Sequence, residues 1–214
     1  MKKKLLMLLG IHILSNMNLF SDTITCSNPD KTLLEFRVSY YYPNSSELRK
    51  IFNNGGINYQ LTGTIPICPN FQGLTRGVNL WTGVDYFSKT GHSIGFDEKA
   101  KITIIPITVG IKYFFPFFGC RLPGNFYAAG GMKYYFLYTH NHSNKIRRNI
   151  NRRGMGSIAE IGFITNIENN LIIDIFGSYS SKSFGAPSIS NPAIEGISLN
   201  VSGFNIGAGI GYKF

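Results

Sequence analysis

Polar and apolar side chains alternate with a period of two along most of the chain after residue 32. This period places successive side chains on opposite faces of a β-strand, whereas an amphipathic helix repeats about every 3.6 residues. No segment carries a convincing helical stripe, and each alternating segment reaches the roughly 9–11 residues that a tilted membrane-spanning strand needs. The pattern predicts eight strands, over 33–42, 56–66, 76–87, 101–115, 125–139, 156–167, 171–181 and 199–214.

The two faces of each predicted strand differ in chemistry. In the first strand Leu34, Phe36 and Val38 share one face, and Glu35 and Arg37 share the other. A soluble β-sandwich would show the same alternation with its apolar face buried. The polar faces carry few charges and many small residues, which favours the narrow lumen of a small barrel whose apolar face contacts lipid.

The charged residues on the predicted polar faces are four acids and four bases. A buried charge is costly without a partner, so a balanced set suits a narrow lumen in which every charge is paired. The alternative is that these residues are separate solvated charges on a soluble surface. The predicted lumen charges are Glu35, Arg37, Asp85, Lys112, Lys133, Glu160, Asp174 and Lys213.

Connections between the predicted strands alternate in length. The longer polar ones cover 43–55, 88–100, 140–155 and 182–198, and the shorter ones cover 67–75, 116–124 and 168–170. Long loops on one side and short turns on the other are typical of outer-membrane barrels, and only a closed barrel satisfies every strand hydrogen bond in lipid. The sequence therefore predicts an all-β fold, an eight-stranded antiparallel up-and-down transmembrane β-barrel.

Composition and charge agree with a chain that contacts lipid. Only 15% of the residues are charged, against about a quarter in soluble domains, while Gly, Phe and Tyr number 24, 17 and 12. The formal net charge of +10 falls to +7 if Lys2, Lys3 and Lys4 are removed with a signal peptide. Nucleic acid is not an expected partner of an exported chain.

The N-terminus is typical of an export signal. The basic Lys2–Lys4 run and the apolar stretch 5–14 match a signal peptide, for which we favour cleavage after Ser21. Thr23-Ile24-Thr25 before Cys26 is not a lipobox, so lipidation is not expected. We assign 1–21 to a signal peptide, 22–32 to a periplasmic leader and 33–214 to the barrel, and no later apolar run is long enough for a transmembrane helix.

The last strand carries a resemblance to known proteins. The chain ends at Phe214, with Tyr212 and Ile210 on the same face, and this resembles the terminal strand of outer-membrane β-barrel proteins. Residues 105–115 are similar to the Pro-x-x-x-Gly-x-x-Tyr-x-Phe strand of OmpW-like and opacity-like eight-stranded barrels. The resemblance implies a bacterial outer-membrane protein whose Tyr212 and Phe214 are recognised by the barrel-assembly machinery.

Two residues depart from the simple pattern. Pro106 cannot donate to a ladder from mid-strand, so we expect a bulge or a local break there. The parity of Trp81 points it inward, where its N–H would need a partner.

No motif predicts catalysis or a cofactor. His140-Asn-His142-Ser143-Asn resembles the His-x-Ser-Asn motif of lipid A deacylases, but Asn141 occupies the histidine position relative to Ser143. Two histidines alone are not a metal site. We expect a protein that is not an enzyme and that binds no metal.

The third predicted loop is strongly basic. Arginine pairs with phosphate through two hydrogen bonds, so this loop is a candidate for binding lipopolysaccharide or another anionic surface partner. A merely solvated loop is the alternative. The residues are Lys145, Arg147, Arg148, Arg152 and Arg153.

Three cysteines fall on the predicted periplasmic side. Cys68 and Cys120 lie in short turns and Cys26 lies in the leader. The periplasm is oxidising, so a Cys68–Cys120 disulfide is compatible with the sequence and would leave Cys26 for an intermolecular bond.

Three functions fit the predicted barrel. We favour a non-enzymatic surface protein that is structural, adhesive or a binder of small apolar or lipidic molecules, because eight strands leave an interior that side chains fill. A narrow solute channel comes second and a lipid A-modifying enzyme third. An oligomer is compatible with the pattern.

Overall fold

The computed structural model describes residues 31–67, 77–92, 99–115, 124–141, 149–167, 170–185 and 199–214. The predicted signal peptide with its cleavage site lies outside these residues, and so do Cys26, Cys68 and Cys120. The elements are β1 Leu33–Pro43, α1 Ser46–Ile51, β2 Gly56–Pro66, β3 Val78–His92, β4 Lys99–Phe114, β5 Gly124–Asn141, β6 Asn149–Asn166, β7 Leu171–Ser181, β8 Ser183–Phe184, β9 Leu199–Asn200 and β10 Gly203–Lys213.

Eight long strands form a closed antiparallel barrel. Strands β1 to β7 pair in chain order, and β10 closes the sheet between β7 and β1. The closing register runs from Leu33 opposite Lys213 to Pro43 opposite Gly203. Strands β8 and β9 form a separate two-stranded sheet, so the predicted strand 199–214 is divided. The predicted eight-stranded up-and-down barrel is confirmed.

We define two ends of the barrel from this topology. The terminal end carries Leu33 and Lys213, the ends of the first and last strands. The loop end lies opposite and carries α1, which occupies part of the predicted loop 43–55. Ser45 caps this short helix by accepting a hydrogen bond from the backbone N–H of Leu48. The sequence pattern did not predict α1, because six residues are too few to show a helical period.

Strands β3, β5 and β6 extend further toward the loop end than their alternation predicts. Strand β6 begins at Asn149 and not at residue 156, and it pairs with β5 from His140 opposite Asn149 onward. The prediction of a single loop over 140–155 is therefore wrong. The backbone ladder continues here through polar residues, which give no hydrophobic period.

The chain is apolar outside and polar inside over much of the barrel. Phe36 is 50% exposed and Ile206 is 72% exposed, while Glu35, Arg37 and Asp174 are 0% exposed. Contiguous exposed apolar surface of this kind is rare on soluble monomers. No helix in the described part of the chain is long and apolar enough to cross a membrane.

Pro106 interrupts the ladder between β3 and β4. Val84 pairs with Ile107 and Phe87 pairs with Ile104, but the two positions between them form no pair. The register is the same on both sides of this gap. Pro106 therefore causes a local break and not a bulge.

Candidate functional site

The centre and terminal half of the lumen hold a network that we call the ion cluster, and Arg37 from β1 lies at its middle. Its guanidinium contacts Glu35 at 3.0 Å, Glu160 at 2.7 Å and Asp174 at 2.8 Å. Lys112 from β4 adds an ion pair of 3.2 Å to Glu35. These residues come from four strands, so the cluster ties together distant parts of the wall.

Tyr127 completes the ion cluster and was missed by the sequence reasoning. Its hydroxyl lies 3.1 Å from Glu160 Oε1 and 3.1 Å from both carboxylate oxygens of Asp174. The Arg37 guanidinium also donates to this hydroxyl at 3.4 Å. The available signal was parity, since Phe126 and Ala128 point outward and leave Tyr127 on the polar face. Because Tyr127 is itself aromatic, it did not stand out as a polar inward-facing residue between Phe126 and Ala128.

Glycines make the space that the ion cluster occupies. A Cβ on Gly209 would lie 2.5 Å from Cγ of Arg37, and a Cβ on Gly211 would lie 2.8 Å from Cγ of Glu35. Across the barrel, a Cβ on Gly162 would lie 2.4 Å from the Tyr127 ring. The small residues on the predicted polar faces therefore leave room for the large side chains of the ion cluster.

A second ion pair lies closer to the loop end. Lys133 from β5 donates to Asp85 from β3, and both side chains are almost completely buried. A cavity of about 30 Å³ adjoins this pair and the ladder break at Pro106. This volume has room for about one or two water molecules. Both side chains of the pair therefore have little contact with solvent.

Apolar side chains fill the loop half of the lumen, in a group that we call the apolar plug. Leu48 and Phe52 from the α1 region pack into it at 3% and 5% exposure. The alternation of polar and apolar residues did not predict this group, in which inward positions near the loop end carry large apolar side chains. The other buried members are Tyr41, Phe87, Ile102, Ile104, Tyr135, Leu137, Phe184 and Val201.

Lys213 and Trp81, which were also predicted to point into the lumen, belong to neither the ion cluster nor the apolar plug. Lys213 lies at the terminal rim, where its Nζ donates to Asn166 Oδ1 at 2.8 Å. Trp81 points inward at 2% exposure and packs with Ala129 and Ile158. Its Nε1 has no hydrogen-bond partner among the described residues.

The predicted basic group divides between described and undescribed residues. Lys145, Arg147 and Arg148 lie outside the described residues, as does His142. Arg152 and Arg153 belong to β6, so their assignment to a loop is wrong.

These two arginines have different surroundings. Arg152 donates to the backbone carbonyl of Gly185 at 3.2 Å, whereas the guanidinium of Arg153 lies 5.6 Å from the centre of the Phe136 ring. The described residues contain no group of three or more potential metal ligands among His, Cys, Asp and Glu.

Comparison with known proteins gives a match in structure and none in sequence. No protein-family model and no curated protein matches the chain. OprG from Pseudomonas aeruginosa has a TM-score of 0.61 at 18% identity over 86% of this chain and 96% of its own. Its fold is that of a small outer-membrane barrel.

Two other solved structures agree with this assignment. Neisserial surface protein A has a TM-score of 0.56 at 14% identity, over 86% of this chain and 97% of its own. Outer membrane protein W of E. coli has a TM-score of 0.51 at 11% identity, over 86% of this chain and 98% of its own. At these identities the likeness concerns the fold, and it confirms the resemblance to OmpW-like barrels.

Proposed function

We propose that this protein is an integral surface protein of a bacterial outer membrane, with a closed bore and no enzymatic activity. The observation that carries the proposal is the filling of the lumen by two successive layers, the ion cluster and the apolar plug. The exposed apolar belt and the similarity to outer-membrane barrels support the membrane location.

The ion cluster is a barrier to solutes because its charged groups contact one another across the bore. Arg37 spans the bore between β1 and the carboxylates of β6 and β7. An ion that crossed this level would have to displace these contacts inside a narrow low-dielectric space, where unpaired charges are costly. A narrow channel is therefore the less favoured reading.

The apolar plug is a second barrier of different chemistry. Leu48 and Phe52 are carried by the α1 region, which therefore covers the plug at the loop end. The cavity of about 30 Å³ below it is far smaller than the roughly 300–1,000 Å³ of ordinary ligand pockets. A structural or adhesive role at the cell surface is better supported than binding of an apolar ligand inside the barrel.

Conductance across a planar bilayer tests the closed bore. The purified barrel should add no unitary current steps, and its folded state in the same lipid is checked by the change in electrophoretic mobility on heating. Regular steps from the folded wild-type protein would contradict the proposal and favour the channel. Extraction of the processed protein from membranes by carbonate or urea alone would contradict the membrane location.

A further inference from the structure

The outer face of β4, β5 and β6 changes character near the loop end. Three rows of neighbouring side chains cross these strands, as the pairing register shows. Lys101 lies beside His140 in the row nearest the loop end, and the next row joins Thr103, Tyr138 and Asn151. The third row places Arg153 beside Phe136.

Among the described residues, the exposed charges on this part of the outer face are positive. In the described residues of strands β3 to β6 the acids are Asp85 and Glu160, and both are buried in the lumen. Lys101 and Arg153 are exposed on the outer face. The positive charge of these two side chains is therefore not neutralised by a carboxylate of the same four described strands.

A groove of about 410 Å³ has Lys101 in its wall, and Arg153 lies next to it, two residues along β6 from the wall residue Asn151. Hydrogen-bonding groups line the groove. Its walls are Lys101, Thr103, Tyr138, Thr139, His140 and Asn151, from all three strands. Hydroxyl, amide, imidazole and ammonium groups all have donors that an anion can accept. The groove therefore combines positive charge with several neutral donors.

The groove lies at the border of the lipid-facing belt. Below Arg153 the next row on the same face contains Met155, which is 60% exposed, and Tyr134, which is 40% exposed. The guanidinium of Arg153 rests 5.6 Å from the centre of the Phe136 ring. An aromatic residue with a cation directly above an apolar belt is typical of the level of lipid headgroups.

We propose that this groove binds a phosphate of a phosphorylated glycolipid in the outer leaflet. Lys101 and Arg153 supply the charge, and Asn151 and Thr103 supply neutral contacts between them. The two cations lie four residues apart along the strand direction, about 13 Å, and two strand spacings apart across the sheet, about 10 Å, so their Cα atoms are roughly 16 Å apart. Two long side chains can close that interval on a single headgroup.

This inference rests on the proposed outer-membrane location, and it differs from the prediction about the basic loop. The cations used here lie on the barrel wall, where the strand ladder fixes their spacing. Charge-assisted hydrogen bonds from such groups to phosphate are stronger than bonds between neutral groups. Phosphate on the lipid is therefore the feature that the site should detect.

Binding of lipid A to the folded barrel in nanodiscs of zwitterionic lipid tests the site. The variant K101Q/R153Q should bind bisphosphorylated lipid A about tenfold or more weakly than wild type, as expected from two basic residues at a membrane surface. The variant R49Q/K50Q removes the same charge from α1 and should change binding less than about threefold. R153K keeps the charge, and with K101 unchanged it should retain most of the affinity.

Comparing different ligands shows which chemical group the site recognises. Dephosphorylated lipid A should bind wild type weakly and should not distinguish it from K101Q/R153Q. Equal binding of bisphosphorylated lipid A by wild type and K101Q/R153Q, both shown to be folded by mobility, would overturn the site. Full competition by micromolar inorganic phosphate would overturn the lipid as ligand. Conductance by the barrel would contradict the closed bore and would leave the proposed binding site unaffected.

Discussion

The ion cluster and the apolar plug both fill the lumen densely, but different interactions hold each of them together. The ion cluster is held by contacts among five charged side chains and the Tyr127 hydroxyl, and a smaller group of buried apolar side chains packs around the Tyr127 ring at the same end. The loop side is held by packing of Leu48 and Phe52 against inward apolar side chains. The first arrangement depends on every partner being present, whereas the second depends on volume.

This difference predicts a large effect at the centre of the ion cluster. Arg37→Leu leaves Glu35, Glu160 and Asp174 without the guanidinium that contacts all three. Removing one partner of a buried ion pair costs about 3–5 kcal/mol. We expect a loss of that size in the free energy of unfolding, measured by urea titration in lipid vesicles. Lys50→Leu, at an exposed position of α1, is the control; an equal effect there would contradict the account.

The apolar plug should respond to loss of volume. Phe52→Ala removes a side chain that is 5% exposed in the plug. Buried Phe→Ala changes cost about 3–5 kcal/mol, and we expect the lower end because α1 lies at the barrel mouth and is free to settle. The same urea titration measures the effect, with Lys50→Ala as the exposed control. A Phe52→Ala protein as stable as the control would show that the plug is not packed.

The space that glycine provides to the ion cluster allows a matched test. Gly209→Ala places a Cβ 2.5 Å from Cγ of Arg37, whereas the nearest atom to a Cβ on Gly177 lies at 4.0 Å. Overpacking costs about 1–3 kcal/mol, so Gly209→Ala should destabilise the barrel by that amount. Gly177→Ala should be close to neutral in the same titration. The reverse order of the two variants would refute the complementarity between β10 and β1.

The smallest effect is expected where both partners of an ion pair are replaced together. Lys133→Met alone leaves the Asp85 carboxylate buried without its partner. The double variant D85L/K133M replaces the pair by apolar groups beside the apolar plug, and it should lie within about 1 kcal/mol of wild type. A double variant less stable than K133M would contradict this expectation, because it would show that the barrel needs the Asp85 carboxylate even when its partner Lys133 is absent.

The sequence predicts the part of the lumen where polar and apolar residues alternate without interruption. In β1 the polar parity of Glu35 and Arg37 placed them in the lumen, and the structure has them there. In β4 the run Ile102-Thr-Ile-Ile105 is apolar on both faces, so a period of two cannot reveal that Ile102 and Ile104 belong to the plug.

Other features depended on contacts that are distant in sequence. Tyr127 joins the ion cluster through Glu160 and Asp174, and neither lies within 30 residues of it. The role of α1 depends on where Leu48 and Phe52 reach across the barrel mouth, which local periodicity cannot encode. The extension of β6 past residue 156 is set by backbone pairing with β5.

The central claim is that the apolar strand faces contact lipid while the charged faces lie inside. A nitroxide on I206C, in a chain whose three native cysteines are replaced by serine, tests it most directly, because Ile206 is 72% exposed. In reconstituted vesicles this label should collide with oxygen far more often than with a water-soluble nickel chelate, and a label on K50C should show the reverse. A label on I206C that prefers the nickel chelate would contradict the account.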